Sequence, residues 1–98
     1  MTINKQVNGD ELTIALEGTL DTTSAPELQQ VLDDSMGDVR SIVFDFTKVS
    51  YISSFGLRVL LYAHKNMNNK GGIKIININE LVREVFDVTG FSDILNIE

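Results

Sequence analysis

The segment Ser41-Ile42-Val43-Phe44-Asp45-Phe46 limits the fold more than any other. It is a short apolar run rich in β-branched and aromatic residues, which reads as a central parallel strand covered on both faces. Parallel neighbours need crossover connections, usually helical. The sequence supplies them on either side. Upstream, residues 24–36 place Ala25, Leu28, Val31, Leu32 and Met36 on one helical stripe. Ser24 and Glu27 have the spacing of a capping box, Pro26 falls in the tolerant first turn, and Gly37 is placed to end the helix. Downstream, residues 55–68 read as a second helix, with Leu57, Leu60, Leu61, His64 and Met67 along one face.

The flanks complete the pattern. Residues 2–7 and 12–16 read as two strands joined at Asn8-Gly9-Asp10, a hairpin signal because these residues tolerate positive φ. Gly18 breaks the second strand's alternation. The stretch 47–54 reads as a loop, 68–72 as a turn and 73–78 as a strand. Residues 80–88 form a third helix with Asn77 and Glu80 as a second capping box and Gly90 as its stop. The tail 91–98 is short and semi-apolar. The order β-β-α-β-α-β-α implies a single α/β domain over residues 1–98, with a mixed sheet, right-handed crossovers and packed helices. In such sheets sites lie beyond the carboxyl ends of the strands, which points to 47–54.

Charge and composition remove several function classes. Eight basic against fourteen acidic residues give a net charge of −6, which repels phosphate backbones and anionic lipid, so no nucleic-acid partner is expected. No apolar stretch approaches the roughly 20 residues that span a bilayer. The first residues lack the apolar core of a signal peptide, so neither export nor membrane insertion is expected and the setting is cytoplasmic. The absence of cysteine excludes thiolate nucleophiles and thiolate metal sites, and a single histidine excludes paired imidazoles.

Catalytic patterns are equally sparse. No Walker lysine loop, dinucleotide-binding glycine pattern, zinc-protease helix or nucleophile elbow occurs. Asp33-Asp34 reads as a solvated acidic face rather than a metal site. His64, inside an apolar stripe and without a paired nucleophile, reads as a packed structural histidine. Asp45 closes the central strand and either accepts hydrogen bonds from the following loop or shapes a phosphoryl-transfer site. Ser53-Ser54 precede the second helix, where one serves as N-cap or one serves regulation. No enzyme, cofactor or metal is expected.

The stretch Val43-Phe44-Asp45-Phe46-Thr47-Lys48-Val49-Ser50-Tyr51-Ile52-Ser53-Ser54-Phe55-Gly56-Leu57 resembles the signature of STAS domains. Among these it is most similar to bacterial anti-sigma factor antagonists. Gly18-Thr19-Leu20-Asp21 is similar to the motif after the family's second strand. Val82-Arg83-Glu84-Val85-Phe86, followed by Thr89-Gly90-Phe91, is similar to its third helix and closing turn. The resemblance implies a STAS-like fold and a partner, an anti-sigma factor that is often a serine kinase. Binding frees a sigma factor, phosphorylation in the loop before the second helix ends binding, and a phosphatase restores it.

Anchored on Gly56-Leu57, Ser53 falls on the family's aspartate, Ser54 on its first serine, and Phe55 on the hydroxyl residue after it. Phenylalanine cannot accept a phosphoryl group. The resemblance therefore leaves Ser54 as the first phosphoacceptor candidate, Ser53 as the second, and a constitutive module without phosphorylation as the third reading. It implies a partner surface of Asp21, Thr22, Thr23 and Ser24 together with Ser50, Tyr51, Phe55, Gly56 and Arg58. The alternative is a standalone STAS subunit of a lipid-transport ABC complex, in which an absent phosphoacceptor is natural. A nucleotide sensor is a further class, disfavoured by the missing phosphate loop.

Overall fold

The computed structural model describes all residues 1–98. Strands β1 (Thr2–Asn8), β2 (Glu11–Leu20), β3 (Ser41–Ile52) and β4 (Gly72–Ile76) form one sheet in the order β1-β2-β3-β4. β1 pairs antiparallel with β2, whereas β2, β3 and β4 run parallel. Helices α1 (Ala25–Ser35), α2 (Ser54–Met67) and α3 (Glu80–Thr89) come after β2, β3 and β4 in turn. The expected element order and mixed sheet are those observed.

Local chemistry explains the joints. Gly9, at φ 67°, makes the tight β1–β2 turn. α1 begins and ends one residue inside its expected limits and passes into a 3-10 turn, Met36–Asp38. Gly37 therefore lies within that turn instead of terminating the helix. Gly90 ends α3 in the left-handed conformation at φ 81°, as its position predicts. The tail is ordered against the sheet: the Ile75 amide donates to the Asn96 carbonyl (2.9 Å), and the Glu98 amide to the Ile75 carbonyl (2.8 Å). Ile97 thus bridges to the outer edge of β4.

Four expectations are corrected. The sheet is not covered on both faces. Leu12, Ile14 and Leu16 of β2 are fully buried, as are Ile42, Phe44 and Phe46 of β3. The opposite row, Thr13–Val43–Lys74 and Ala15–Asp45–Ile76, is only partly covered. The apolar run reads as two-sided because Val43 is apolar, yet Val43 stands outside the main core cluster. The stretch 47–54 is not a loop either, for β3 continues to Ile52 and only Ser53 separates it from α2. Likewise β2 does not stop at Gly18 but runs to Leu20. β4 in turn ends at Ile76, not at residue 78, because Asn77 takes a left-handed conformation at φ 62°.

The cause of the longer β3 is visible in the pairing register. Ala15 pairs with Asp45 but Glu17 with Lys48, and Gly18 pairs with Val49 but Thr19 with Tyr51. Each step leaves one extra residue on β3, so two bulges sit on this strand. They convert a buried period of two into a period of three, and Phe46, Val49 and Ile52 all point inward. Gly18 accommodates the distortion at φ 110°.

α2 is seated on the end of this extended pair. A Cβ on Gly56 would lie 2.7 Å from Ile52 Cγ1 and 2.7 Å from Leu20 Cγ, both fully buried side chains. Overpacking a closed core costs about 1–3 kcal/mol, while alanine returns about 1 kcal/mol of helix propensity over glycine. With three contacts under 3.0 Å, the cost falls in the upper part of that range, so Gly56→Ala is expected to lower stability by roughly 1–2 kcal/mol. A urea unfolding midpoint equal to or above that of the parent would contradict this packing account.

Candidate functional site

Because β2, β3 and β4 are parallel, their carboxyl ends meet along one edge, and three short connections emerge there. Residues 21–24 leave β2, Ser53 leaves β3, and residues 77–79 leave β4. The Ser53 amide donates to the Leu20 carbonyl (2.9 Å), which ties the first two connections together. Asn79 ties in the third: its side-chain amide donates to the carbonyls of Val49 (3.0 Å) and Ser50 (3.3 Å). Its side-chain oxygen meanwhile accepts from the Val82 amide (2.7 Å), so Asn79 caps α3. Asn77 is not the cap. Its side chain instead reaches the Asp45 carboxylate (3.1 Å).

Asp21 organises the entry to α1. Its carboxylate accepts from the amides of Thr23 (3.0 Å) and Ser24 (3.2 Å). These bonds, that from the Ser24 amide foremost, hold the Asp21 carboxyl below its ordinary 3.8. The Ser24 hydroxyl makes no cap. It donates to the Thr19 carbonyl (2.7 Å) and accepts from the Asp21 amide (2.9 Å). The capping box with Glu27 is therefore absent, because the Ser24 side chain turns back to β2 and is buried. Asp45 does accept hydrogen bonds from the next residues of the chain, through the Thr47 hydroxyl (2.6 Å) and amide (3.0 Å). The Thr47 hydroxyl is the main reason that the Asp45 carboxyl is also held low.

The two serines differ sharply. Ser53 occupies the N-cap position of α2 but makes no side-chain cap bond, and its hydroxyl is buried without any hydrogen-bond partner. Ser54 is the first helical residue and is exposed. Its neighbour Phe55 is 45% exposed, with the Arg58 guanidinium 5.6 Å from the ring centroid, a cation–π arrangement. Phe55, Arg58 and Thr22 line a cavity of about 400 Å³ between α1 and α2.

The structure therefore brings together most of the expected surface. Thr22, Thr23, Ser50, Tyr51, Ser54, Phe55 and Arg58 are exposed near this edge, and Asp21 is half-buried. Ser24 and Gly56 are buried, so both shape the surface from beneath. Tyr51 faces a different groove, beside α3, and is not part of the Phe55–Arg58 cavity. Asn79 was not among the expected site residues. An asparagine directly before an acidic first helical residue is the signal that identifies it. Elsewhere, Asp33 accepts from the Tyr62 hydroxyl, and this bond raises the Tyr62 phenol above its ordinary 10.0. Asp34 accepts from Gln30 (3.1 Å). His64 is half-buried on α2.

These contacts set two expected outcomes. Ser53→Ala removes a hydroxyl that bonds nothing, so it should leave stability unchanged or raise it by up to about 1 kcal/mol. A working serine cap would lose about 1 kcal/mol instead, and denaturant unfolding distinguishes the signs. For Asp21, the folded state favours the carboxylate. Its contribution is present above pH 3.8 and is lost as pH falls through the lower folded value. Asp21→Asn should flatten the acid limb of the stability–pH curve, and an unchanged limb would exclude this role.

Comparison with known proteins agrees with the geometry. The STAS domain family model matches residues 2–98. The anti-sigma-B factor antagonist of Bacillus subtilis (strain 168) is 34% identical over 103 residues, covering 99% of this chain and 92% of that protein. Among solved structures, an anti-sigma factor antagonist from Mycobacterium paratuberculosis superposes with a TM-score of 0.89 at 20% identity, covering 98% of this chain and 83% of that one. The antagonist SpoIIAA in its unphosphorylated form gives a TM-score of 0.85 at 20% identity, with 99% and 88% covered. With the family matched over nearly its whole length and the fold shared, this chain belongs to the STAS domain family.

Proposed function

We propose that this protein is an anti-sigma factor antagonist, switched by phosphorylation of Ser54. Its relative in Bacillus subtilis is an anti-sigma-B factor antagonist, and SpoIIAA has been solved in a phosphorylated form. In this reading the protein acts in the cytoplasm by binding, not by catalysis. Its partner is an anti-sigma factor of the serine kinase type, and a phosphatase resets the switch. Thr22, Thr23, Ser50, Ser54, Phe55 and Arg58 form the contact surface.

The observation that carries the choice of residue is the contrast between the two serines. A kinase must reach the hydroxyl, and the Ser53 hydroxyl is buried whereas Ser54 is exposed. Phosphate adds about −1.5 to −2 charges. At the first residue of α2 the free amides and macrodipole favour that charge within the protein. A partner that covers Ser54 must instead desolvate it, which weakens the complex. The Phe55 ring beside it suits the centre of such an interface, since exposed aromatics are frequent anchors.

The test is co-purification from native cells, with mass spectrometry of the partners and of the peptide holding both serines. A kinase-type anti-sigma factor and phosphate on Ser54 are expected. Ser54→Ala should abolish phosphorylation while retaining binding. Ser54→Asp should weaken binding about tenfold or more. Recovery of transporter subunits with an unmodified peptide would overturn the reading.

A further inference from the structure

The outer face of α3 carries an apolar stripe that lies largely outside the core, with only Val85 partly buried against it. Val82 and Phe86 turn inward and are fully buried. Leu81, Val85 and Val88 have the i, i+4, i+7 spacing and share the neighbouring stripe. Leu81 is 51% and Val88 80% exposed. Tyr51, at the end of β3 and 42% exposed, stands across from them. Together with Glu84, these residues line an open groove of about 290 Å³. Tyr51 pairs with Thr19 immediately after the second bulge of β3, at the end of the sheet where the groove opens.

Charge decides what fits. At about 100° per residue, Glu84, Glu80 and Asp87 succeed one another along the solvent side of the stripe. All three are exposed. The single cation of α3, Arg83, falls behind them on the helix. A second copy would set like charges against each other, since each chain carries −6 overall. An anionic lipid surface would be repelled in the same way.

We infer that the groove between Tyr51 and α3 is a docking surface for a cationic amphipathic helix of a partner protein. The partner's apolar face lies against Leu81, Val85 and Val88, and its lysines or arginines lie against Glu80, Glu84 and Asp87. This is helix-in-groove recognition with complementary charge. The surface is separate from the Phe55–Arg58 cavity and does not require Ser54 to be a switch.

The test uses the intact protein and a synthetic amphipathic peptide of leucine and lysine about 15 residues long. Amide and methyl NMR shifts should cluster at Tyr51, Leu81, Val85 and Val88. A scrambled peptide of equal charge, and an amphipathic leucine–glutamate peptide, should each bind about tenfold more weakly. The double variant Leu81→Ser/Val88→Ser changes only exposed side chains and should lose about tenfold in affinity, with an unchanged unfolding midpoint. Glu84→Lys provides a second variant that leaves the apolar stripe whole and should also weaken binding. Equal binding of the scrambled or acidic peptide, shifts confined to another surface, or no binding at all would overturn the inference.

Discussion

Two extra residues on β3 set the shape of everything at the functional edge. Each bulge lets the strand slide one position past β2 while keeping its backbone paired. The result is a strand of twelve residues beside one of ten, ending level at Leu20 and Ile52. The Ser53 amide can then bond the Leu20 carbonyl, and α2 starts with no intervening loop. Had the strands stayed in simple register, the serines would begin at the end of a free connection. Their position would then depend on loop conformation, where contacts are few and motion is large.

The same bulges explain which elements could be read in the sequence and which could not. The β1–β2 turn, the three helices and the order of elements were legible because each rests on local chemistry: Asn8-Gly9 for the hairpin, apolar stripes for the helices, Gly90 for the stop. The end of β3 was not. Phe46, Val49 and Ile52 are buried at a spacing of three, which fits neither the strand period nor the helix period. Only pairing with β2 makes that spacing a strand. Val43 misled in the opposite direction, because an apolar side chain on the open face looks the same in sequence as one in the core.

The site was legible as a list of positions but not as a surface. Ser24 and Gly56 each follow a run of exposed residues in the sequence, yet both are buried by contacts from distant strands. The hydrogen bond that turns Ser24 away from its helix is made to the Thr19 carbonyl, on β2. Asp21 instead satisfies the amides of the turn that leads into α1. Likewise, the division between the Phe55 cavity and the Tyr51 groove depends on which helix each aromatic meets, and sequence proximity gives no hint of it.

The close approach at Gly56 has an evolutionary consequence. A single missing Cβ lets α2 rest directly on Leu20 and Ile52. In the same turn, Phe55 and Arg58 face solvent and stand outside the core. Residues there can be exchanged with small effect on folding, so the chain can acquire or lose partners by drift at its surface. The pivot beneath them tolerates almost no such exchange. Diversification of binding and preservation of the scaffold are thereby assigned to adjacent residues of one helical turn.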